Sequence, residues 1–315
     1  FVEIAYQNGM YLLLKIKVWK SLMMKQEISF MVCHMMNGSQ NTKKKRQKNK
    51  WKNLIQRNNN MDFNYLNDKD LLYFSKHILL PNIGIEGQQK LNSSEVTVFG
   101  LGGIGNLITT YIASAGVKKI NIVDFDTVED SNLQRQINFT SSDIGFHKTD
   151  VIDKYLQSRF PNLSVNKFSN KILSTDEVDS ITADSDIVLD GTDNFEVRKI
   201  INKSCNSNNK KLIIGAVEGY SGQLLTVMSN KSTCYECIYE DLTDNNSCSE
   251  SGVLAPLVGM ISSMMAMECI NILTGNNPSY ENKLVLVDGL NISINIIKTK
   301  KKQNCLICSQ PYEKI

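Results

Sequence analysis

Long apolar runs are scarce in this sequence, and their absence limits where the protein can reside. The apolar segment at residues 11–18 is short, and Lys15 and Lys17 interrupt it. A transmembrane helix needs about 20 mostly apolar residues, and a secretory signal ends in a small-residue cleavage site that this segment lacks. The sequence therefore predicts no membrane-spanning segment, and we expect a cytoplasmic protein.

A large excess of charge of one sign is also absent. The net charge is +3, and part of it comes from the basic run at residues 43–50. A block of like charges can bind nucleic acid, but a solvated, unfolded segment is the commoner case, so we expect no nucleic-acid partner. The chain begins with Phe1, and residues 1–60 are basic and rich in Asn. We expect them to be a disordered extension or a mis-assigned start, with Met61 as the alternative start.

The rest of the chain has the composition of a single large domain. With 42% apolar residues, a chain of 315 residues can bury a sizeable core. The sequence therefore predicts one domain over residues 61–315.

A glycine-rich loop follows a short apolar strand in this domain. Residues 96–99 are β-branched or aromatic, as in a buried parallel strand, and the GxGxxG loop after them contains Gly100, Gly102, Gly103 and Gly105. Glycine allows a tight turn, close approach of phosphate, and close packing of the next helix on the strand. A helix at residues 106–115, ended by Gly116, and a strand at 119–123 would complete a nucleotide-binding unit. The alternative is a glycine-rich turn that serves only packing.

The residues after this unit decide between two kinds of nucleotide. Asp124 ends the second strand, roughly 20 residues beyond the glycines, where an acid accepts hydrogen bonds from a ribose hydroxyl. This arrangement alone suggests an NAD-dependent oxidoreductase. Residues 131–136, SNLQRQ, place Asn132, Gln134 and Arg135 beside the phosphate site. Hydride transfer needs a nicotinamide pocket, whereas such donors suit the phosphates of a nucleoside triphosphate.

In their order along the chain, these motifs resemble the ThiF/MoeB/HesA adenylyltransferases, which activate small ubiquitin-like sulfur carriers and are related to ubiquitin-activating enzymes. The resemblance extends over about residues 62–309 and includes YFSKHILLP, GQQKL, the glycine loop, DFDTV, SNLQRQ, IG with Lys148, DGTDN and the cysteine-rich second half. It implies an α/β fold with a Rossmann-like, doubly wound, mostly parallel sheet, antiparallel C-terminal strands and a zinc-stapled C-terminal tail.

The resemblance also implies a reaction and a set of residues for it. The C-terminal Gly-Gly carboxylate of the carrier attacks the α-phosphate of ATP, leaving an acyl-adenylate and pyrophosphate. Two anions meet in this step, so fixed cations and Mg²⁺ are the main requirement. Arg135 and Lys148 would supply fixed charge, and Asp193 would bind Mg²⁺. The implied ATP site comprises Gly100, Gly102, Gly103, Gly105, Asp124, Asn132, Gln134, Arg135, Lys148, Asp193 and Asn194.

Asp193 and Asn194 follow a predicted strand at residues 186–190, at the carboxyl edge where open α/β sheets bind ligands. The alternative for them is an Asx turn that only ends the strand.

One position departs from the family pattern. The family carries an arginine in its opening RYxRQ segment, contributed across a dimer interface to the partner's ATP, and this chain has Lys76 followed by His77. Lysine keeps the charge but cannot make the bidentate phosphate contact of a guanidinium. The resemblance therefore implies a homodimer with Lys76 as a candidate catalytic residue.

Two CxxC pairs, Cys234 with Cys237 and Cys305 with Cys308, predict a metal site. Two such pairs can close a tetrahedral thiolate site on Zn²⁺. A single CxxC can be a redox motif, but paired motifs in a reducing compartment favour a metal. The resemblance likewise implies a structural zinc, whose binding energy would contribute to folding.

The other cysteines differ in their surroundings. Cys205 and Cys269 lie in helical stretches, where buried cysteine is usually a small apolar filler. Cys248 lies in a polar loop, and a cysteine at this point is the family's candidate nucleophile for a thioester or acyl-disulfide with the carrier. Adenylation itself needs no thiol, so a loop thiol without a catalytic role is the alternative.

Three hypotheses follow: an adenylyltransferase, an NAD-dependent oxidoreductase, and a non-catalytic scaffold that binds nucleotide or a ubiquitin-like partner. For the first, the carrier is MoaD-like or ThiS-like. DFDTV and GVLAPL are nearer the molybdopterin type, whereas GQQKL and NFT are nearer the thiazole type, and we favour the MoaD-like carrier. A cysteine desulfurase or rhodanese protein would be the sulfur donor.

Overall fold

The computed structural model describes residues 66–229, 232–240 and 252–309. The chain divides after Ile85 into two compact units. Before the division lie helix α1 (Asp68–Tyr73) and helix α2 (Ser75–Ile78), and helix α3 (Gly84–Ser93) begins beside it. Asn67 caps α1, since its Oδ1 accepts a hydrogen bond from the Asp70 amide at 3.0 Å. The predicted boundary near residue 60 lies outside the described residues and stays a prediction.

The second unit is built on one eight-stranded sheet. Its strands are β1 (Glu95–Phe99), β2 (Lys119–Val123), β3 (Ser164–Phe168), β4 (Ile187–Asp190), β5 (Lys211–Glu218), β6 (Ser221–Met228), β7 (Lys283–Asp288) and β8 (Ser293–Lys298). Their spatial order is β3-β2-β1-β4-β5-β6-β7-β8. Strands β1 to β5 run parallel, and β5 to β8 pair antiparallel. This confirms the predicted doubly wound, mostly parallel sheet with antiparallel C-terminal strands.

Helices cover both faces of the sheet, as a mostly parallel sheet requires. They are α4 (Gly103–Ala115), α5 (Lys148–Arg159), α6 (Thr175–Thr182), α7 (Phe195–Ser207), α8 (Tyr235–Tyr239) and α9 (Ala255–Thr274). Apolar side chains of α4, α5 and α9 form one core with the sheet. Those of α6, α7 and α8 form a second core, which also includes the paired cysteines.

Helix α4 shows how local sequence sets its bounds. Ile104, Ile108 and Ile112 recur at four-residue spacing and are buried, so they lie on the helix face that meets the core. The helix ends at Gly116, whose φ of 107° is left-handed, as predicted for a glycine just past the last helical residue. It starts at Gly103, three residues before the expected position, because the glycine loop itself forms the first turn.

Within the described ranges, α9 is long and apolar enough to suit a membrane span by length and composition. Most of this helix is buried inside the protein instead. It packs closely against the sheet, because a Cβ on Gly215 would lie 2.2 Å from the Met265 sulfur and a Cβ on Gly222 would lie 2.8 Å from Ile261. Helix α9 is therefore a core helix, and its methionines fill space against the strands.

Candidate active site

Two loops meet where β1 and β4 end. Strand β1 lies between β2 and β4, so the chain crosses over at this point and leaves a crevice at the carboxyl ends of the strands. Gly100 has a φ of 77°, and a Cβ on it would lie 2.9 Å from the Thr192 nitrogen. A Cβ on Gly105 would lie 1.7 Å from the Gly100 carbonyl oxygen. The glycines are therefore required by close backbone approach within the loop and between the two loops.

Asp124 closes the glycine loop. Its Oδ2 accepts a hydrogen bond from the Leu101 amide at 2.6 Å, and its Oδ1 accepts one from the Asp126 amide at 2.8 Å. Burial raises the pKa of Asp124, and the positive charge of Lys148 opposes this rise. Each oxygen keeps a second lone pair that could accept from a ribose hydroxyl, and that predicted contact stays a prediction.

Lys148 is a cation held at the first position of α5. Its ammonium lies 2.9 Å from Asp126 Oδ2, with only 7% of the lysine side chain exposed. A positive charge at a helix N-terminus opposes the helix dipole. Asp126 and Asp124 offset that cost, and together they hold the cation beside the glycine loop.

The SNLQRQ segment lies against the same loop. A Cβ on Gly103 would lie 3.6 Å from the Arg135 carbonyl oxygen, and one on Gly102 would lie 3.9 Å from Gln136 Nε2. The Arg135 guanidinium donates to the Ser131 carbonyl at 3.0 Å. The Asn132 side chain is buried and closes a local turn by accepting from the Glu129 amide at 3.2 Å.

Gln134 is exposed on this segment. The structure thus places the Arg135 backbone and the Gln136 side chain next to the glycine loop, and the contacts of Asn132, Gln134 and Arg135 with a triphosphate stay predictions.

The DGTDN loop continues β4 at the other side of the crevice. Asp190 is fully buried and accepts from the Thr192 amide at 2.9 Å and from its hydroxyl at 2.7 Å. Asn194 caps α7, since its Oδ1 accepts from the Val197 amide at 2.9 Å. Asp193 lies between these two anchored residues and is exposed. The loop therefore presents the Asp193 carboxylate from a fixed backbone, as a metal-binding role requires.

Sequence reasoning missed two residues of this region. Asp126, the second acid of DFD, pairs with Lys148, and its position two residues after Asp124 was the available signal. Arg198 lies in the first turn of α7, where the buried guanidinium donates to the Thr192 carbonyl. An arginine four residues after Asn194 carries no local signal of burial, so only the tertiary structure reveals it.

The four cysteines of the CxxC pairs form one buried cluster, and their sulfur atoms all lie within 4.8 Å of one another. The Sγ–Sγ distances are 3.8 Å for Cys234 and Cys237, 3.7 Å for Cys234 and Cys305, and 3.4 Å for Cys237 and Cys308. Tetrahedral zinc with sulfur ligands at about 2.3 Å places the sulfurs roughly 3.8 Å apart. The cluster could therefore hold a metal ion. Cys205 and Cys269 are buried elsewhere, as predicted for fillers.

The described geometry of the site does not include two of the predicted catalytic residues. Cys248 falls outside the described residues. Lys76 is exposed on α2, before the division of the chain at Ile85. Both roles stay predictions.

A doubly wound sheet with a glycine loop, a buried acid and a cation at its crevice defines a nucleotide-binding α/β protein. The comparisons with known proteins specify which kind. The chain belongs to the ThiF family, whose model matches residues 74–307.

Relatives in this family are named adenylyltransferases, which is consistent with nucleotidyltransferase activity. The chain is 34% identical over 247 residues to the molybdopterin-synthase adenylyltransferase of Escherichia coli (strain K12), covering 78% of this chain and 99% of that protein. It is 35% identical over 246 residues to the sulfur carrier protein ThiS adenylyltransferase of the same organism, covering 77% and 97%.

A third relative is longer. The chain is 36% identical over 252 residues to the adenylyltransferase and sulfurtransferase MOCS3 of Culex quinquefasciatus, and the match covers 78% of this chain and 56% of that protein. The chain thus spans about half the length of this relative. Among solved structures, E. coli MccB with ATP matches with a TM-score of 0.67 at 23% identity, over 79% of this chain and 76% of that one. This likeness shows the shared fold.

Proposed function

We propose that this chain catalyses the ATP-dependent adenylation of the C-terminal carboxylate of a small ubiquitin-like sulfur-carrier protein, with release of pyrophosphate. The observation that carries the proposal is the buried Lys148 ammonium, held by Asp126 beside a glycine loop that Asp124 closes. Hydride transfer from NAD does not require fixed positive charge at phosphate oxygens, whereas attack of a carboxylate on the α-phosphate of ATP does.

In this proposal, each residue has its own role in joining two anions, the carrier carboxylate and the triphosphate of ATP. A carboxylate oxygen of the carrier forms a bond to the α-phosphorus. The bond from that phosphorus to the oxygen bridging to the β-phosphate breaks, and pyrophosphate leaves with the electron pair. Lys148 and Arg135 neutralise the charge that grows on the phosphate oxygens. Asp124 orients the ribose, and the amides at the start of α4 bind phosphate.

Magnesium fits the loop after β4. Mg²⁺ in ATP sites is usually held by one or two carboxylates together with the phosphates themselves. Asp193 supplies one exposed carboxylate on an anchored loop. A magnesium ion held there would supply positive charge that neutralises part of the leaving-group charge.

Zinc is our assignment for the cysteine cluster. Four thiolates in a closed, buried site suit a structural metal that has no open coordination position. Because Cys305 and Cys308 follow β8 whereas Cys234 and Cys237 lie at α8, the ion would tie the tail to the second core. The site is remote from the glycine loop in sequence and would stabilise rather than react.

For the carrier, we propose a MoaD-like protein, with a ThiS-like protein as the alternative. The motif differences favour the first only slightly, and the relatives at 34% and 35% identity include one adenylyltransferase of each type. We further propose a cytoplasmic homodimer that uses Lys76 across the subunit interface. The Cys248 thiolate would attack the carbonyl of the acyl-adenylate to form a thioester, and AMP would leave with the electron pair. If a cysteine desulfurase or rhodanese protein first transfers its persulfide sulfur to Cys248, attack by that persulfide would give the acyl-disulfide instead, again with AMP as the leaving group.

The direct test is ATP–pyrophosphate exchange with each purified carrier, with NAD reduction assayed as a control. We expect exchange that depends on one carrier and on its C-terminal glycine. A carrier truncated by that glycine is the matched control. Exchange with neither carrier would refute the proposal, and turnover of NAD would favour the oxidoreductase.

A further inference from the structure

Arg198 holds the backbone that precedes the proposed magnesium ligand. Its side chain is buried on the first turn of α7, and Nη2 donates a hydrogen bond to the Thr192 carbonyl. The same nitrogen lies 3.4 Å from the Gly215 carbonyl on β5. Thr192 is the residue directly before Asp193, so the guanidinium ties the start of the Asp193 turn to the sheet.

Asp190 holds the same residue from its other side. Its Oδ1 accepts from both the amide and the hydroxyl of Thr192, at 2.9 and 2.7 Å. Burial raises the pKa of Asp190, and the charge of Arg198 opposes the rise. Thr192 is therefore fixed at its N–H by a carboxylate that accepts and at its C=O by a guanidinium that donates, and these two groups carry opposite charges in the interior.

Tyr235 connects this pair to the cysteine cluster. It lies between Cys234 and Cys237 and is buried. Its backbone amide donates to Asn202 Oδ1 at 3.1 Å, and Asn202 lies one turn beyond Arg198 on α7. The cysteine-bearing helix α8 thus packs on the helix that carries Arg198.

Several polar atoms in this cluster are unsatisfied. Asp190 Oδ2, Arg198 Nε, Asn202 Nδ2 and the Tyr235 hydroxyl have no hydrogen-bond partner within the part of the chain that the structure describes. An unpaired buried polar atom lowers stability, and native structures contain few of them. The unpaired atoms lie beside the Thr192 contacts that precede Asp193, which makes this cluster the place to test for a positioning role.

We propose that Arg198 is a positioning residue, which fixes the Thr192–Asp193 turn for the magnesium complex of ATP, and that Tyr235 links this turn to the metal-binding cysteine cluster. The inference rests on the proposed function, because Asp193 is assigned to Mg²⁺ there. It adds a residue that touches neither substrate nor metal and acts through the backbone of Thr192.

The test is a double-mutant cycle with equilibrium binding of a fluorescent ATP analogue, measured in Mg²⁺ and in EDTA. We expect Arg198→Met to reduce the Mg²⁺-dependent gain in affinity by roughly ten-fold or more, the factor for one lost hydrogen bond to a charged group. Binding in EDTA should not change. Asp193→Asn should show the same loss, and the double variant should lose no more than Asp193→Asn alone, because both act through one site.

Conservative variants separate positioning from folding. Arg198→Lys keeps a charge opposite Asp190 but loses the planar fork, so it should lie between wild type and Arg198→Met. Asn202→Leu removes the oxygen that accepts a hydrogen bond from the Tyr235 amide, so it should reduce the Mg²⁺-dependent gain in the same direction. Arg159→Met is the matched control, since Arg159 is exposed on α5, and it should bind as the wild type does. If Arg198→Met does not fold, Arg198→Lys takes its place in the cycle.

Two results would overturn the inference. One is a lowered melting temperature of the Arg198 variants with an unchanged Mg²⁺-dependent gain, which would make Arg198 purely structural. The other is a double variant whose loss of Mg²⁺-dependent affinity equals the product of the fold-losses of Arg198→Met and Asp193→Asn. If the wild type binds the nucleotide and exchanges pyrophosphate while either result is found, the inference alone fails. If the wild type binds no ATP, the proposed function fails and the inference with it.

Discussion

Lys148 Nζ lies 2.9 Å from Asp126 Oδ2, although Lys148 opens a helix and exposes only 7% of its side chain. The acid compensates the cation while the site holds no phosphate, and a bound triphosphate would compete for the same ammonium. The pair therefore keeps a positive charge at the crevice. Removing the Lys148 ammonium should lower the reaction rate far more than it lowers the stability of the fold.

Lys148→Met should lower pyrophosphate exchange by about 10²–10³-fold, the usual cost of removing one group that stabilises charge in a transition state. Steady-state exchange at saturating ATP measures this loss. Lys167→Met is the matched control, because Lys167 pairs with Asp150 at 2.9 Å but is more exposed. Equal losses in both variants would contradict a specific role for Lys148.

Two glycines of the loop should separate folding from nucleotide binding. A Cβ on Gly105 would lie 1.7 Å from a backbone oxygen, so Gly105→Ala should cost about 3 kcal/mol or more of unfolding free energy. A Cβ on Gly102 meets its nearest atom at 3.9 Å, so Gly102→Ala should stay within about 1 kcal/mol of wild type.

The same methyl group on Gly102 would occupy the space through which phosphate approaches the backbone, so Gly102→Ala should still weaken ATP binding. Denaturant unfolding and nucleotide titration measure the two effects. Equal stability of the two variants would argue against the loop geometry.

The raised pKa of Asp124 predicts that both stability and ATP binding depend on pH. Burial raises its pKa above the ordinary value of 3.8, so the folded chain takes up this proton before the unfolded chain does as the pH falls. The ionised carboxyl therefore costs stability at neutral pH, and this cost disappears as the pH falls through the folded pKa.

Protonation also removes an acceptor for the Leu101 amide and for ribose. ATP binding by the wild type should thus decline at a pH just above the ordinary pKa of an aspartate. The Asp124→Asn variant should bind ATP weakly at every pH and show no such decline. Fluorescence titration across the acidic range checks the shape. A wild-type profile that stays flat down to the ordinary value would contradict the assignment.

The cysteine cluster predicts metal-dependent stability. Cys305→Ser should lose the bound metal, measured by elemental analysis, and lower the melting temperature by roughly 10 °C, since each kcal/mol shifts a domain of this size by about 2–4 °C. Cys269→Ala, in the core but outside the cluster, should keep the metal. A Cys305 variant with full metal content would disprove the four-cysteine site.

The role proposed for Lys76 predicts how an arginine at this position changes the exchange activity. Arginine restores the fork that binds phosphate through two hydrogen bonds, so Lys76→Arg should keep or raise carrier-dependent exchange, whereas Lys76→Gln should lower it. Initial rates at limiting ATP compare the three proteins. A clear loss in Lys76→Arg would count against the role assigned to this position.

Local patterns in the sequence predicted much of this molecule. The strands at β1 and β2 and the end of α4 at Gly116 agree with the structure, because side-chain period and turn chemistry depend on near neighbours. The antiparallel C-terminal strands, which only the family resemblance implied, are confirmed as well. The paired CxxC motifs also predicted the metal-binding cluster, since both spacings suit the ligand geometry of a metal.

Only the tertiary structure decided how distant residues combine. It brings Asp126 to Lys148, closes the glycine loop with Asp124, joins cysteines 71 positions apart, and buries Arg198 against Thr192. None of these contacts follows from a local period, because each depends on how helices pack across parallel strands. The sequence by itself thus determined the elements and the chemistry available, and packing of the two faces of the sheet determined which charges meet.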